Sequence, residues 1–465
     1  MRADGIARVY PEVATEIYDD TKSFCDNELT ADWNPARIAF DNTVTAHCNA
    51  AQRQLGFQNG GVFADQDMEL PLEWSVDSNV RWQVDLEGYG QSTPVVFNDQ
   101  AYVTSVAGEN KESIHVRAIN LETGDIVWDY EKENSTPEAN NVYVSRAAVT
   151  PVVDSDGVIA FFEGGNLVAL DHEGKLRWEK DFTKEYGDVK TRHSLASSLE
   201  QSDSHVFVWV ERQTEPYIVA LDKKSGQQTW SSEGVGSTSW ASPRLISVGD
   251  QQHLVLSASG KIVGIDPSNG ERLWTFDEIG GNSTPTPIPV GDSKFLIGAS
   301  AGRGGEGGAT TARSNGLIEI KSTDQGYQAE WVWQAERATS SFGSPVVCAG
   351  RAYFVNRQGV VYCLNLETGK ELFAKRSESG SVWATPLANA NHVFLFGKDG
   401  TTTVLTSSDQ WEVASLNKLW QEKSESEQGT EGGRGDFGGP VLYAATPLNK
   451  SILIRRGDAL FRVGQ

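Results

Sequence analysis

Apolar residues in this chain come in short alternating runs, not in helically spaced stripes. Val206, Val208 and Val210 in HVFVWV, and Ala101 and Val103 in AYVTSV, recur at every second position. That is the period of a β-strand, whose successive side chains point to opposite faces. HLVLSA, RAYFVN and HVFLFG are runs of the same kind. A turn containing Gly, Asn or Asp follows each run, and then a strand that enters a recurring phrase. AINLETGDIVW, ALDHEGKLRW, ALDKKSGQQTW, GIDPSNGERLW and CLNLETGKELF end on Trp128, Trp178, Trp230, Trp274 and Phe373. The Asp or Asn, the small polar residues and the Gly of these phrases are hairpin-turn chemistry, with Gly free to take positive φ. IEIKSTDQGYQAEWVW is a looser copy ending at Trp331 or its neighbour Trp333, and Trp82 and Trp420 give two further marks. With Trp331, successive marks lie 42 to 57 residues apart. A period of roughly 40–50 residues belongs to propellers and solenoids.

Between the marks stand Pro94, Pro151, Pro243, Pro287, Pro345, Pro386 and Pro447, with Ser198 at the corresponding point of the unit that lacks a proline. Proline leads a strand because it has no N–H for a ladder interior. Four short antiparallel strands per unit follow. The fold expected is all-β: an eight-bladed β-propeller, or a seven-bladed one if the proline-less unit is not a blade. The final stretch, ATPLNKSILIRRGDALFRVGQ, holds three strands, and NVRWQVD around Trp82 is a lone strand. The Trp82 strand is therefore expected to complete the last blade and close the ring, leaving no exposed edges. A linear solenoid would leave both terminal units unpaired. The division expected is an acidic, partly helical leader over 1–74 and the propeller over 75–465. Pro11 and the pair Asn34–Pro35 are helix starts. Cys25 and Cys48 either bridge that helical pair or remain free thiols, and Cys348 and Cys363 read as core residues.

The five phrases resemble the docking motif of the pyrroloquinoline-quinone-type β-propeller repeat, Ala-x-Asp-x-x-Thr-Gly-x-x-x-Trp. The resemblance covers about residues 75–465. Within that superfamily the stretches at 71–96 and 397–420 are most similar to exported propellers of planctomycete bacteria, although GFQNGG at 56–61 departs from their opening. The resemblance implies structural docking roles for Trp82, Trp128, Trp178, Trp230, Trp274, Trp331, Phe373 and Trp420. It also implies two kinds of activity. One group of such propellers is non-enzymatic and periplasmic, and includes the lipoprotein of the outer-membrane β-barrel assembly machinery. The other comprises quinone- and calcium-dependent dehydrogenases, many of which carry adjacent cysteines or a haem-attachment C-x-x-C-H. This chain has neither motif.

Charge narrows the partners. With 63 Asp and Glu against 40 Lys and Arg, the net charge is -23, the opposite of the basic footprint that nucleic acid or anionic lipid requires. No apolar run is long enough to span a bilayer. MRADGIARVYPEV has no apolar segment of a signal peptide, so the chain is cytoplasmic, or periplasmic or otherwise exported if a leader precedes this numbering. A monomer is expected.

The first strand of each propeller blade lines the channel, so residues just ahead of each proline should ring one mouth. They are Gln91, Arg146, Arg192, His193, Trp240, Asn282, Phe342, Trp383 and Tyr443. Trp240, Phe342 and Trp383 share one offset, three residues ahead of proline. Aromatics of this kind are enriched at interfaces, and they pack equally well on one another as a plug. No catalytic residue, metal ligand or cofactor is assigned. The function expected is a non-catalytic scaffold or binding protein offering this mouth to a protein or small ligand; the alternative is a quinone- and calcium-dependent dehydrogenase. The glycine-rich stretches at 299–316 and 421–439, the latter with an Arg-Gly-Asp ending at Asp436, read as loops, as does 131–146.

Overall fold

Each apolar run of the repeat forms a strand in the computed structural model, which describes residues 68–140, 144–189, 191, 193–300, 313–420 and 440–464. The chain divides into two compact units, Met1–Gln54 and Leu55–Gln465. The first unit, with both helix starts, Cys25 and Cys48, lies outside the described residues. So do GFQNGG, Arg192, residues 301–312 and the whole of 421–439.

The described residues hold eight four-stranded antiparallel sheets. Blade 1 consists of Val95–Phe97, Gln100–Ala107, Ser113–Asn120 and Ile126–Glu133 in chain order. Blades 2 to 7 repeat that order and begin at Val152, Glu200, Arg244, Ile288, Val346 and Leu387. The proline-less unit is a full blade, blade 3, so the count is eight. Blade 8 takes Leu442–Leu448, Ser451–Arg456 and Ala459–Gly464 from the end of the chain. Its fourth strand is Val80–Asp85, which pairs antiparallel with Ala459–Gly464 and sets Trp82 opposite Arg462. The core lies between blades. One apolar cluster, for example, joins Val149, Phe161 and Leu167 of blade 2 to Val206, Val208 and Leu221 of blade 3.

Two devices tie neighbouring blades together. The first uses the residue just before each proline. Thr93 N donates to Thr150 Oγ1 at 3.0 Å, Thr150 N to Ser198 Oγ at 3.0 Å, and Ser198 N to Ser242 Oγ at 3.0 Å. Ser242 N continues to Thr286 Oγ1, Thr286 N to Ser344 Oγ and Ser344 N to Thr385 Oγ1, at 2.9–3.1 Å. Thr446 Oγ1 of blade 8 then donates to Pro94 O at 2.7 Å. A belt of hydroxyls thus satisfies backbone N–H groups that no ladder reaches.

The second device is the docking tryptophan. The indole N–H of Trp82, Trp128, Trp178 and Trp230 donates to Leu121 O, His172 O, Lys223 O and Pro267 O in the turn of the next blade, at 2.8–3.0 Å. The ring lies on the turn's glycine. At Gly226, with φ +68°, an added Cβ would sit 2.7 Å from the Trp178 ring, so the position needs glycine for both conformation and space.

Three of the expected docking marks behave differently. In the looser copy Trp333, not Trp331, docks: it lies on Gly369 and donates to Leu366 O at 2.8 Å. A bulge between Leu317 and Ile318 carries the register past Trp331, which turns back onto Phe276 of blade 4. Trp274 stays within its own blade, donating to His253 Nδ1 at 3.1 Å, because blade 5 presents a longer hairpin whose Tyr327 covers His253. Trp420 lies beyond the last strand of blade 7, against Gly400 of the same blade, and Ser415 occupies the docking register there, opposite Val404. Phe373 meets Trp411 of the next blade edge-on at 5.8 Å.

Blade 8 has no third-to-fourth-strand turn on which blade 7 could dock, since its fourth strand comes from the other end of the chain. Residues 68–74 fill that space. Ser415 Oγ and Asn417 Nδ2 donate to Leu72 O, and Trp74 N donates to Asn417 Oδ1 at 2.9 Å. Trp74 is 4% exposed and stacks with Phe394. The last residues of the acidic leader therefore serve as part of the propeller.

Candidate functional site

The segments that enter the blades bring several of the residues ahead of the prolines into contact with one another. Arg146, ahead of blade 2, stacks its guanidinium 3.6 Å from the centre of the Tyr89 ring. Tyr89 in turn shares a 3.0 Å hydrogen bond with the Tyr443 hydroxyl. Burial, followed by the neighbouring Tyr443, pushes the Tyr89 hydroxyl upward and keeps it protonated. Gln91 braces the group, its side-chain oxygen accepting from Arg146 N at 2.9 Å. His193 faces Trp240, with ring centres 5.9 Å apart. Phe342, 39% exposed, tilts against Trp383 at 5.5 Å. Lys398 lies 5.8 Å from the Trp383 ring.

The nine residues ahead of the prolines thus separate into small groups: Gln91, Arg146 and Tyr443 with Tyr89; His193 with Trp240; and Phe342 with Trp383. Arg192 lies outside the described residues. Asn282 is a correction. It is wholly buried, its Nδ2 donating to Ser257 Oγ and Ala258 O and its Oδ1 accepting from Gly260 N. An amide this fully used holds a loop and has nothing left for a ligand. Sequence reasoning missed Tyr89 and Lys398. Tyr89 stands five residues before its proline, as Arg146 does, so a second offset would have found it; Lys398 carries no such signal.

One further alignment has the outline of a hydrolase centre. Ser113 Oγ lies 3.0 Å from His115 Nε2, and His115 Nδ1 lies 3.1 Å from Asp129 Oδ1. Arg117 changes its meaning. Its Nη2 is 2.9 Å from the same Nδ1, and its Nε donates to Asp129 Oδ2 at 2.8 Å. The charged donor takes the Nδ1 lone pair, which leaves Nε2 carrying the proton that points at Ser113. A general base needs the opposite tautomer. The cluster is a buried brace between strands.

Among the described residues no group of three or more His, Cys, Asp or Glu is arranged to hold a metal ion, and no helix is long and apolar enough to cross a membrane. Buried carboxylates serve the scaffold: Glu211 accepts from Trp209 Nε1 and from the backbone N–H groups of Val235, Gly236 and Ser237. Burial raises its carboxyl in spite of those donors.

Comparison with known proteins agrees with this architecture. The outer membrane protein assembly factor BamB of Moranella endobia (strain PCIT) is 25% identical over 190 residues, 40% of this chain and 43% of that protein. The match therefore spans less than half of that relative. Among solved structures, BamB from Moraxella catarrhalis superimposes with a TM-score of 0.54 at 15% identity, covering 83% of this chain and 99% of that one. The quinohemoprotein alcohol dehydrogenase of Comamonas testosteroni gives 0.56 at 13% identity, covering 90% and 82%. The computationally designed Ika8 protein gives 0.52 at 12% identity, covering 82% and 98%. These likenesses establish the shared fold. The family model described as outer membrane protein assembly factor BamB matches residues 48–197, 188–331 and 316–450, and the chain belongs to that family.

Proposed function

We propose that this protein is a non-catalytic, exported propeller that works as a scaffold, holding a partner protein at the channel mouth. The observation that carries the reading is the Phe342–Trp383 pair, an aromatic surface kept partly open beside Lys398. Buried aromatic anchors, tryptophan above all, are among the groups that dominate protein interfaces. Membership of a family named for outer-membrane protein assembly supports a periplasmic setting and a protein partner over a metabolite. The shared fold of the quinohemoprotein dehydrogenase supports a second reading, in which the same mouth takes a quinone with calcium.

A photo-crosslinking residue at Phe342 in the full chain, expressed in the bacterial periplasm, tests the first reading. A discrete adduct with an outer-membrane assembly component is expected, and Trp383→Ala should abolish it without changing the melting temperature. Calorimetry with pyrroloquinoline quinone and calcium tests the second. Saturable binding there, with no protein adduct at Phe342, would overturn the scaffold reading.

A further inference from the structure

A second surface lies where blades 2 and 3 meet, on the segment that runs from the last strand of blade 2 toward His193, and its inference does not rest on the reading of the mouth. After the last strand of blade 2 the chain makes a one-turn helix, Phe182–Tyr186. The loop between the second and third strands of blade 3 crosses in front of it. Two hollows of about 610 and 580 Å³ flank that crossing, and both are lined by Tyr186, Arg212 and Glu215. The second continues along the outer edge of blade 3, Ser231 to Glu233.

Arg212 is the brace between the hollows. Its Nε donates to Glu215 O at 3.1 Å, its Nη1 to Tyr186 O and Asp188 O at 2.7 and 2.9 Å, and its guanidinium lies 5.0 Å from the Tyr217 ring. Those bonds turn its donors toward backbone oxygens of the protein. The acidic groups are placed otherwise. Glu215 and Glu233 are exposed, both line the second hollow, and neither forms an ion pair among the described residues. Asp188 lines the first.

Tyr217 supplies the independent sign of a missing occupant. It is 7% exposed, lines the second hollow, and its hydroxyl is buried with no hydrogen-bond partner. A buried hydroxyl left unpaired costs free energy that a bound polar group would recover. The Tyr186 ring stacks on it at 4.9 Å, adding aromatic surface of the kind that attracts cations. Strand Gln228–Glu233 is the outermost of its blade, with a pairing partner on one side only. A sheet edge of this kind can take up an extended peptide as an added strand.

We infer that the groove formed by Tyr186, Glu215, Tyr217 and the Ser231–Glu233 edge binds an extended basic segment of a partner protein. One lysine or arginine of that segment lies between Glu215 and Glu233 and donates to the Tyr217 hydroxyl oxygen. The net charge of -23 favours the encounter.

Fluorescence anisotropy with the full chain and a labelled peptide alternating lysine and threonine tests this. Saturable binding is expected, lost when the lysines are acetylated. The double variant Glu215→Gln/Glu233→Gln should weaken it about fivefold, the range for exposed ion pairs. Tyr217→Phe, which removes only the hydroxyl, should weaken it too. Glu173→Gln/Glu367→Gln, in exposed turns of blades 2 and 6, should leave it unchanged. Absence of binding, equal binding of the acetylated peptide, equal weakening by the Glu173/Glu367 pair, or displacement by a neutral oligosaccharide would each overturn the inference. Should Tyr217→Phe fail to fold, the comparison of lysine and acetyl-lysine peptides on the unmodified protein still decides it.

Discussion

Ser198 stands just before Leu199, which takes the place of the proline missing from the repeat, and its hydroxyl is what this unit preserves. It accepts from Thr150 N at 3.0 Å, while its own N–H donates to Ser242 Oγ. In the sequence the Ser/Thr-Pro pattern speaks for its proline, a strand start without a donor. The structure shows that the hydroxyl before the proline matters at least as much, because it carries a hydrogen bond from one blade to the next. Ser198→Ala should therefore strand the buried Thr150 N–H, and the cost expected is about 1–3 kcal/mol. Urea unfolding of the variant measures it, and a change within experimental error would show that water replaces the hydroxyl. The docking tryptophans were legible for a related reason: a large ring against a turn glycine leaves a fixed spacing in the sequence. Trp274, Trp331 and Trp420 were not distinguishable from them, since a bulge, a longer hairpin and a strand end change what a tryptophan meets without changing its spacing.

At the scale of elements, the strands were readable because one alternating pattern recurs in every blade. The short helix Phe182–Tyr186 was not, being five residues long and without an amphipathic stripe of its own. Its signal is local. Asp181 caps it, accepting from Thr183 N at 3.1 Å and Thr183 Oγ1 at 2.6 Å, while Ser135 Oγ from the preceding blade donates to the other oxygen at 2.9 Å. Burial alone would raise the Asp181 carboxyl, but the donors of Thr183, Lys184 and Ser135 overcome that and hold it well below the usual range. A carboxylate depressed by folding stabilises the native state above its unfolded pKa of about 4, and that contribution fades as pH falls toward the folded value. Asp181→Asn should accordingly cost about 1 kcal/mol near neutral pH, the usual worth of a cap. The gap to the parent protein should narrow below about pH 4. Unfolding curves at pH 7 and pH 3 test the sign, and a gap that widens in acid would contradict the assignment.

At the scale of the whole molecule, the two ends of the propeller chain meet in blade 8, and that blade packs on blade 1. Leu448, Leu453 and Leu460 of blade 8 share one apolar cluster with Trp82, Val96, Ala101 and Val103. Arg455, wholly buried, adds hydrogen bonds to Gly90 O and Thr104 O of blade 1, both at 3.3 Å. Open repeat arrays unfold from their ends, because a terminal unit has only one neighbour. Here blades 1 and 8 each have two, so no blade is a natural starting point. Weakening this seam should consequently lower the stability of all eight blades together. Leu453→Ala removes a side chain with no exposed surface and should cost about 2–5 kcal/mol through the cavity it leaves. The denaturation midpoint should fall while the slope with denaturant stays that of the parent, the mark of an unchanged cooperative unit. Tryptophan fluorescence reports the docking sites around the ring and far-ultraviolet dichroism reports the strands, and the two curves should coincide. An early fluorescence step ahead of the dichroism, with a shallower slope, would mean that the seam opens alone and that the blades are held by their neighbours and not by the ring.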